Sequence, residues 1–123
     1  MFKINEDMSI YVTRGDMVTL GVSADNNGQL YTFQPGDLVR FKVFEKKGCD
    51  NVVLLKDVYV DEATEKVDIL LTGEDTKFGG VINKPTDYWY EVELNPLTVP
   101  QTIIGYDEEG AKVFRLYPEG GEG

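Results

Sequence analysis

The sequence predicts an all-β domain, an antiparallel sandwich of two stacked sheets with about seven to nine strands. Three observations lead there. Apolar and polar residues alternate in short runs, turn residues recur about every ten positions, and apolar residues nowhere keep a helical spacing over three turns. A strand between turns buries one face at most, so a second sheet must cover it.

Residues 1–7 read as a short polar lead-in, 8–117 as one domain, and 118–123 as a flexible Gly/Glu tail. Alternation runs over 8–13 and again over 17–23, with Val18, Leu20 and Val22 on one face. Between them, Arg14-Gly15-Asp16 joins two strand segments, the glycine marking a turn or bulge. An adhesion role for that triplet requires the tip of a long mobile loop, which strand-like flanks do not provide. Residues 24–28 form a turn ending in Asn27-Gly28, and 34–37 form another around Pro35-Gly36.

The cleanest strand covers 38–46, with Val39, Phe41 and Val43 inward. A second long one covers 52–60, expected to pair with it as a hairpin, and 66–72 returns with Val67, Ile69 and Leu71 inward. Residues 73–85 are the one long irregular connection, with a helical turn expected over 74–78. Tyr88, Tyr90, Val92 and Leu94 share a face of the strand over 86–94. Residues 102–106 and 111–117 are expected as a last hairpin around Asp107-Glu108-Glu109-Gly110, an acidic tip of the kind that keeps sheets from sticking edge to edge.

The chain has 123 residues, about one domain, and its net charge is −10. That charge opposes nucleic acid and anionic membrane partners, both of which need clustered Lys and Arg. No apolar run approaches the ~20 residues of a membrane span, and no signal-peptide h-region follows Met1. Cys49 is the single cysteine, so no internal disulfide can form; a turn thiol beside Lys46 and Lys47 fits folding in a reducing cytoplasm.

There is no histidine. The commonest general base and the Ser-His and Cys-His pairs are therefore absent, as are His-containing zinc sites, and one cysteine cannot build a thiolate site. The Gly79-Gly80 pair lacks phosphate-loop spacing. Carboxylates are the remaining catalytic raw material. Asp57, Asp61, Glu62, Glu65 and Asp68 group around one expected hairpin end. Two carboxylates about 5–9 Å apart can cleave a glycosidic bond, and several oxygens can bind Ca²⁺. Asp57, Asp61, Glu62 and Asp68 are thus the weak Ca²⁺ candidates, although a convex, solvated turn is the simpler reading and the Asp-x-Asp-x-Asp-Gly spacing is missing. No enzyme and no cofactor are expected.

Trp89 alternates outward between Asp87 and Glu91. It either anchors a protein interface, stacks on a sugar ring, or is covered by the 73–85 loop.

The stretch from Ile10 to Val22, with Arg14-Gly15-Asp16 inside it, resembles the N-terminal module of phage baseplate upper proteins and related small prophage tail proteins. The run Gly36-Asp37-Leu38-Val39-Arg40-Phe41-Lys42-Val43 is similar to their Gly-Asp-x-Val-x-Phe-x-Val strand. Leu70 to Phe78 followed by Tyr88-Trp89-Tyr90 resembles the approach to a Tyr-x-Tyr strand, and Phe114 to Glu119 resembles the module's end. The likeness spans about residues 8–119 in short, degenerate motifs; 79–84 looks inserted, and no long C-terminal region follows. It implies an Ig-like sandwich that assembles through protein–protein contacts, with other copies of itself or phage structural proteins as partners and no catalytic residues to carry over. Arg14, Asp16, Phe78 and Trp89 are its interface candidates. Synthesis in a bacterial host cytoplasm and residence in a tail-like particle go with that resemblance. A carbohydrate- or surface-binding sandwich is the alternative.

Overall fold

The computed structural model describes residues 2–4, 8–26, 28–46, 50–79, 81–105 and 112–119. Eleven strands occur among them: β1 (Phe2–Ile4), β2 (Ile10–Thr13), β3 (Val18–Val22), β4 (Asp25–Asn26), β5 (Gln29–Leu30), β6 (Leu38–Lys46), β7 (Asp50–Tyr59), β8 (Val67–Leu71), β9 (Thr86–Leu94), β10 (Gln101–Ile104) and β11 (Lys112–Tyr117). The protein is an all-β sandwich. A seven-stranded sheet runs β1-β2-β11-β9-β6-β7, with β10 also on β9; β3 and β8 form the facing sheet, and β4-β5 is a small separate ribbon. In Ig terms β6, β9 and β11 take the C, F and G positions with β7 beside C, and β3 and β8 take B and E.

The alternating faces meet as period two dictates. Val18, Leu20 and Val22 from β3 and Val67, Ile69 and Leu71 from β8 pack onto Val39, Phe41, Val43, Tyr90, Val92 and Phe114 of the large sheet. Phe33 is fully buried at one margin, and its backbone bridges to Thr64. At the 34–37 turn the Asp37 N–H donates to the Gln34 carbonyl at 3.0 Å, and Gly36 takes φ +94°, the conformation the third position of such a turn requires.

Four sequence expectations need correction. First, the sheet is not wholly antiparallel: β2 lies parallel to β11, Ile10 opposite Phe114 through Thr13 opposite Tyr117. Parallel neighbours need a long connection, and nearly the whole domain lies between these two strands. Second, part of the expected lead-in is structure, since Phe2–Ile4 pairs antiparallel with β2.

Third, 66–72 does not extend the 38–60 hairpin. The β6–β7 hairpin forms, but β8 crosses to the other sheet and pairs with β3. Fourth, β10 and β11 are not a hairpin. Gln101 sits opposite Leu94 and Ile104 opposite Val92, then Lys112 opposite Tyr90 and Leu116 opposite Thr86. The other edge of β9 is taken by β6 over Trp89 to Leu94. Both segments therefore follow one another along a single edge of β9, like one interrupted strand. The acidic tip at 107–110 lies outside the described residues, as does Cys49.

Candidate functional site

The Arg14-Gly15-Asp16 turn is fastened to the interior. Gly15 takes φ +91° and donates its N–H to the Thr76 hydroxyl at 2.9 Å. That hydroxyl in turn reaches the Asp16 carbonyl at 2.8 Å, and Thr76 is completely buried. Arg14 lies mostly covered, with Nη1 on the Glu119 carboxylate at 3.0 Å and Nη2 on the Lys77 carbonyl at 3.2 Å. The triplet is a structural corner, and Glu119 belongs to the domain despite its place in the expected tail. Asp16 remains exposed.

Phe78 packs inward. It is 8% exposed, edge-on to Tyr88 at 4.8 Å and 5.7 Å from Phe114 between ring centroids. The expected helical turn is there, as a 3₁₀ turn at Asp75–Lys77, and it carries Phe78 over the end of the core. Thr72 and Asp75 brace it by exchanging backbone-to-side-chain bonds at 2.9 and 3.1 Å. Burial raises the Tyr88 phenol above its ordinary value, with the nearby Glu45 charge adding to it.

Trp89 is half-buried on the outer face of the large sheet. Register places it between Phe44 and Val113, with Val52 beyond Phe44. Phe44 is itself buried, the Lys42 ammonium lying 5.7 Å from its ring centroid. The outer face thus carries one apolar row in which Val52 is exposed and the indole and Val113 are partly accessible. Charged rows flank it, and their charges are matched within the chain. Arg40 grips Asp57 with two bonds of 2.7 and 3.0 Å, and Arg115 grips Asp87 at 2.6 and 3.2 Å. Lys42 sits between Glu91, at 3.4 Å, and Glu93.

The carboxylates expected together are apart. Asp57 faces outward on the large sheet against Arg40, whereas Asp68 lies on the opposite sheet, 3.9 Å from Lys66. Asp61 and Glu62 lie exposed in the connection between them. Among the described residues no three His, Cys, Asp or Glu side chains converge to hold a metal ion.

The geometry that sequence reasoning missed lies at the two ends of β9. Beyond its C-terminal end, a cleft of about 500 Å³ opens between the β4–β5 ribbon, the 95–100 link and β10, lined by Asp25, Tyr31, Asn95, Val99 and Gln101 among others. A buried-edge network shapes it. Asp37 accepts from the Gln34 N–H at 2.9 Å, the Tyr31 hydroxyl at 2.8 Å and the Asn95 amide at 3.2 Å, while Asn95 Oδ1 accepts the Leu38 N–H at 2.9 Å. Partial burial pushes the Asp37 carboxyl up, but these three donors outweigh it and hold the group below the usual carboxylate value. The hydrogen bond to Asp37 likewise raises Tyr31, with burial adding to it.

Exposed aliphatics flank this cleft: Leu97 is 69% exposed, Val99 70% and Leu30 51%. At the opposite end of β9, Val81 on the 73–85 connection is 87% exposed. The one sequence signal for this was apolar residues placed between prolines or glycines without an alternating partner. A smaller hollow of about 210 Å³, lined by core residues including Leu20, Phe41 and Tyr90, lies between the sheets beside β3. Among the described residues, no helix is long and apolar enough to cross a membrane.

No family model matches the chain, and no curated protein does.

Proposed function

We propose that this chain is a non-enzymatic structural protein of the phage or prophage tail and baseplate kind, working through protein–protein assembly. The observation that carries this reading is the distribution of apolar surface. Charged side chains on the large sheet pair within the chain, and the three most exposed aliphatic side chains among the described residues, Val81, Val99 and Leu97, lie at the two ends of β9, with Val52, Leu55 and Leu70 about half-exposed on the sheet faces. Grouped, highly exposed apolar side chains mark contact sites more often than chemistry. Synthesis in a bacterial cytoplasm and residence in a tail-like particle belong to the same proposal, with further copies or other structural proteins as partners.

Light scattering and affinity co-purification from a host producing phage particles test it. Defined oligomers, or recovery of tail proteins, support the reading. A monomer at every concentration that recovers no particle protein overturns it.

A carbohydrate- or surface-binding module is the second reading, and Trp89 on the outward face favours it. As this is the chain's one tryptophan, its fluorescence reports directly. Glycan-dependent quenching that is lost in Trp89→Ala supports that reading, and unchanged emission across a glycan panel removes it.

A further inference from the structure

We propose that copies of this chain associate head to tail, the 81–84 loop of one copy seating in the cleft beside Asp25 and Val99 of the next. The inference rests on the assembly reading and names the contact that assembly would use.

Position comes first. The loop leads into β9 at Thr86 and the cleft adjoins its other end at Leu94, eight residues later. At about 3.3 Å per residue the two features lie roughly 30 Å apart on opposite ends of the sandwich. One copy can therefore offer both at once, to two different neighbours.

Chemistry matches at the two surfaces. Val81 is the most exposed large apolar side chain among the described residues, and Ile82 beside it is half-buried. The cleft presents Val99 and Ile103 as apolar wall, with Asp25, Asn95, Gln101 and Thr102 as polar wall. Its volume of about 500 Å³ is in the range that receives several side chains. Lys84 brings the loop's one charge, and Asp25 is the cleft's one charged lining residue.

Charge also disfavours one alternative. The segments around the cleft end, 23–37, 58–66 and 94–105, carry Asp25, Asp37, Asp61, Glu62 and Glu65 against the single cation Lys66. The segments at the loop end, 13–17, 72–86 and 118–119, set Arg14, Lys77 and Lys84 against Asp16, Glu74, Asp75 and Glu119, so this end is only weakly acidic. Two cleft ends face to face would set acid against acid, whereas a cleft end against a loop end does so far less. Such a contact is heterologous, so it closes into a ring or continues as a filament.

The sheet edge offers a poorer route. The exposed edge strand β7 is bulged at Val53, where Val43 pairs with Leu54 but Phe44 with Val52. It also carries the inward-facing Lys56, another device that blunts edge pairing.

The test uses directed cross-linking in a Cys49→Ser background, which removes the native thiol. Asp25→Cys and Lys84→Cys are made separately, mixed and oxidised. The expected product is the mixed disulfide, in at least tenfold excess over either homodimer. Sedimentation velocity of Val81→Asp, at an exposed position that leaves folding intact, should show loss of all species above monomer. Equal homodimer and mixed yields, or an unchanged mass distribution in Val81→Asp, overturn the head-to-tail contact. Oligomers that persist in Val81→Asp place the contact elsewhere and leave the assembly reading standing. A wild-type monomer that still recovers particle proteins also sinks the self-contact alone, and a monomer that recovers none sinks both.

Discussion

The Thr76 hydroxyl accepts the Gly15 N–H at 2.9 Å across 61 residues of sequence, tying the corner between β2 and β3 to the 3₁₀ turn that precedes β9. The approach is close enough that a Cβ on Gly73 would lie 2.7 Å from the Gly15 carbonyl oxygen. Thr76→Val keeps the shape but leaves the Gly15 donor without its partner, costing about 1–3 kcal/mol. Thr76→Ser should restore most of that. Urea denaturation of the three proteins checks it, and a valine variant as stable as wild type would show that the bond contributes nothing.

Phe78 and Val81 lie three residues apart and should behave oppositely. Phe78 is edge-on to Tyr88 and packed on Phe114, so Phe78→Ala should lose about 3–5 kcal/mol. Val81→Ala, at an open position, should stay within about 0.5 kcal/mol. Comparable losses at both sites would mean that the loop, and not the ring, holds this end of the core.

Those two residues also show what alternation can and cannot reveal. Tyr88, Tyr90, Val92 and Leu94 are inward as period two requires, and so are Val39, Phe41 and Val43. Leu38 and Phe44 stand on the outward side of the same strand and are buried too, because neighbouring side chains and the 95–100 link supply cover that no local pattern encodes. The burial of Phe78 was hidden for a related reason: it sits in a connection with no periodicity, and its burial comes from a turn anchored 60 residues away. The β10–β11 arrangement was hidden because two short strands around an acidic, Gly-containing turn look the same whether they pair with each other or share the free edge of β9. The cleft was invisible because its walls come from segments more than 60 residues apart, Asp25 and Tyr31 on one side, Val99 and Gln101 on the other.

Asp37 makes stability at the cleft end depend on pH. Its folded value lies below the ordinary 3.8 because the donors from Gln34, Asn95 and Tyr31 outweigh the effect of burial. A lowered carboxylate stabilises the fold fully above its unfolded value and loses that contribution as pH falls through the folded one. The stability difference between wild type and Asp37→Asn should therefore be constant from pH 7 to about 5 and shrink below about 4. Thermal melts of both proteins over pH 2–7 measure it. A difference that stays flat down to pH 2 would place the role of Asp37 in geometry and not in charge.

Lys56 should keep the exposed edge of β7 from pairing with a second strand. It pairs with Phe41, a core residue, so its stem starts on the inward face alongside Leu54 and Val58. Its ammonium then reaches the Asp75 carboxylate at 2.9 Å. An incoming strand would have to accommodate that stem and bury its charge, which is costly unless the charge is paired. Replacing it with a β-branched apolar residue removes the obstacle and leaves a row of aliphatics beside unpaired backbone donors and acceptors. In a Val81→Asp background, which silences the end contact, Lys56→Val should raise the weight-average mass at least twofold between 10 and 200 μM. Lys56→Arg should leave it unchanged. Concentration-dependent light scattering separates the two, and a monomeric Lys56→Val protein would show that the bulge at Val53 protects the edge without help from the lysine.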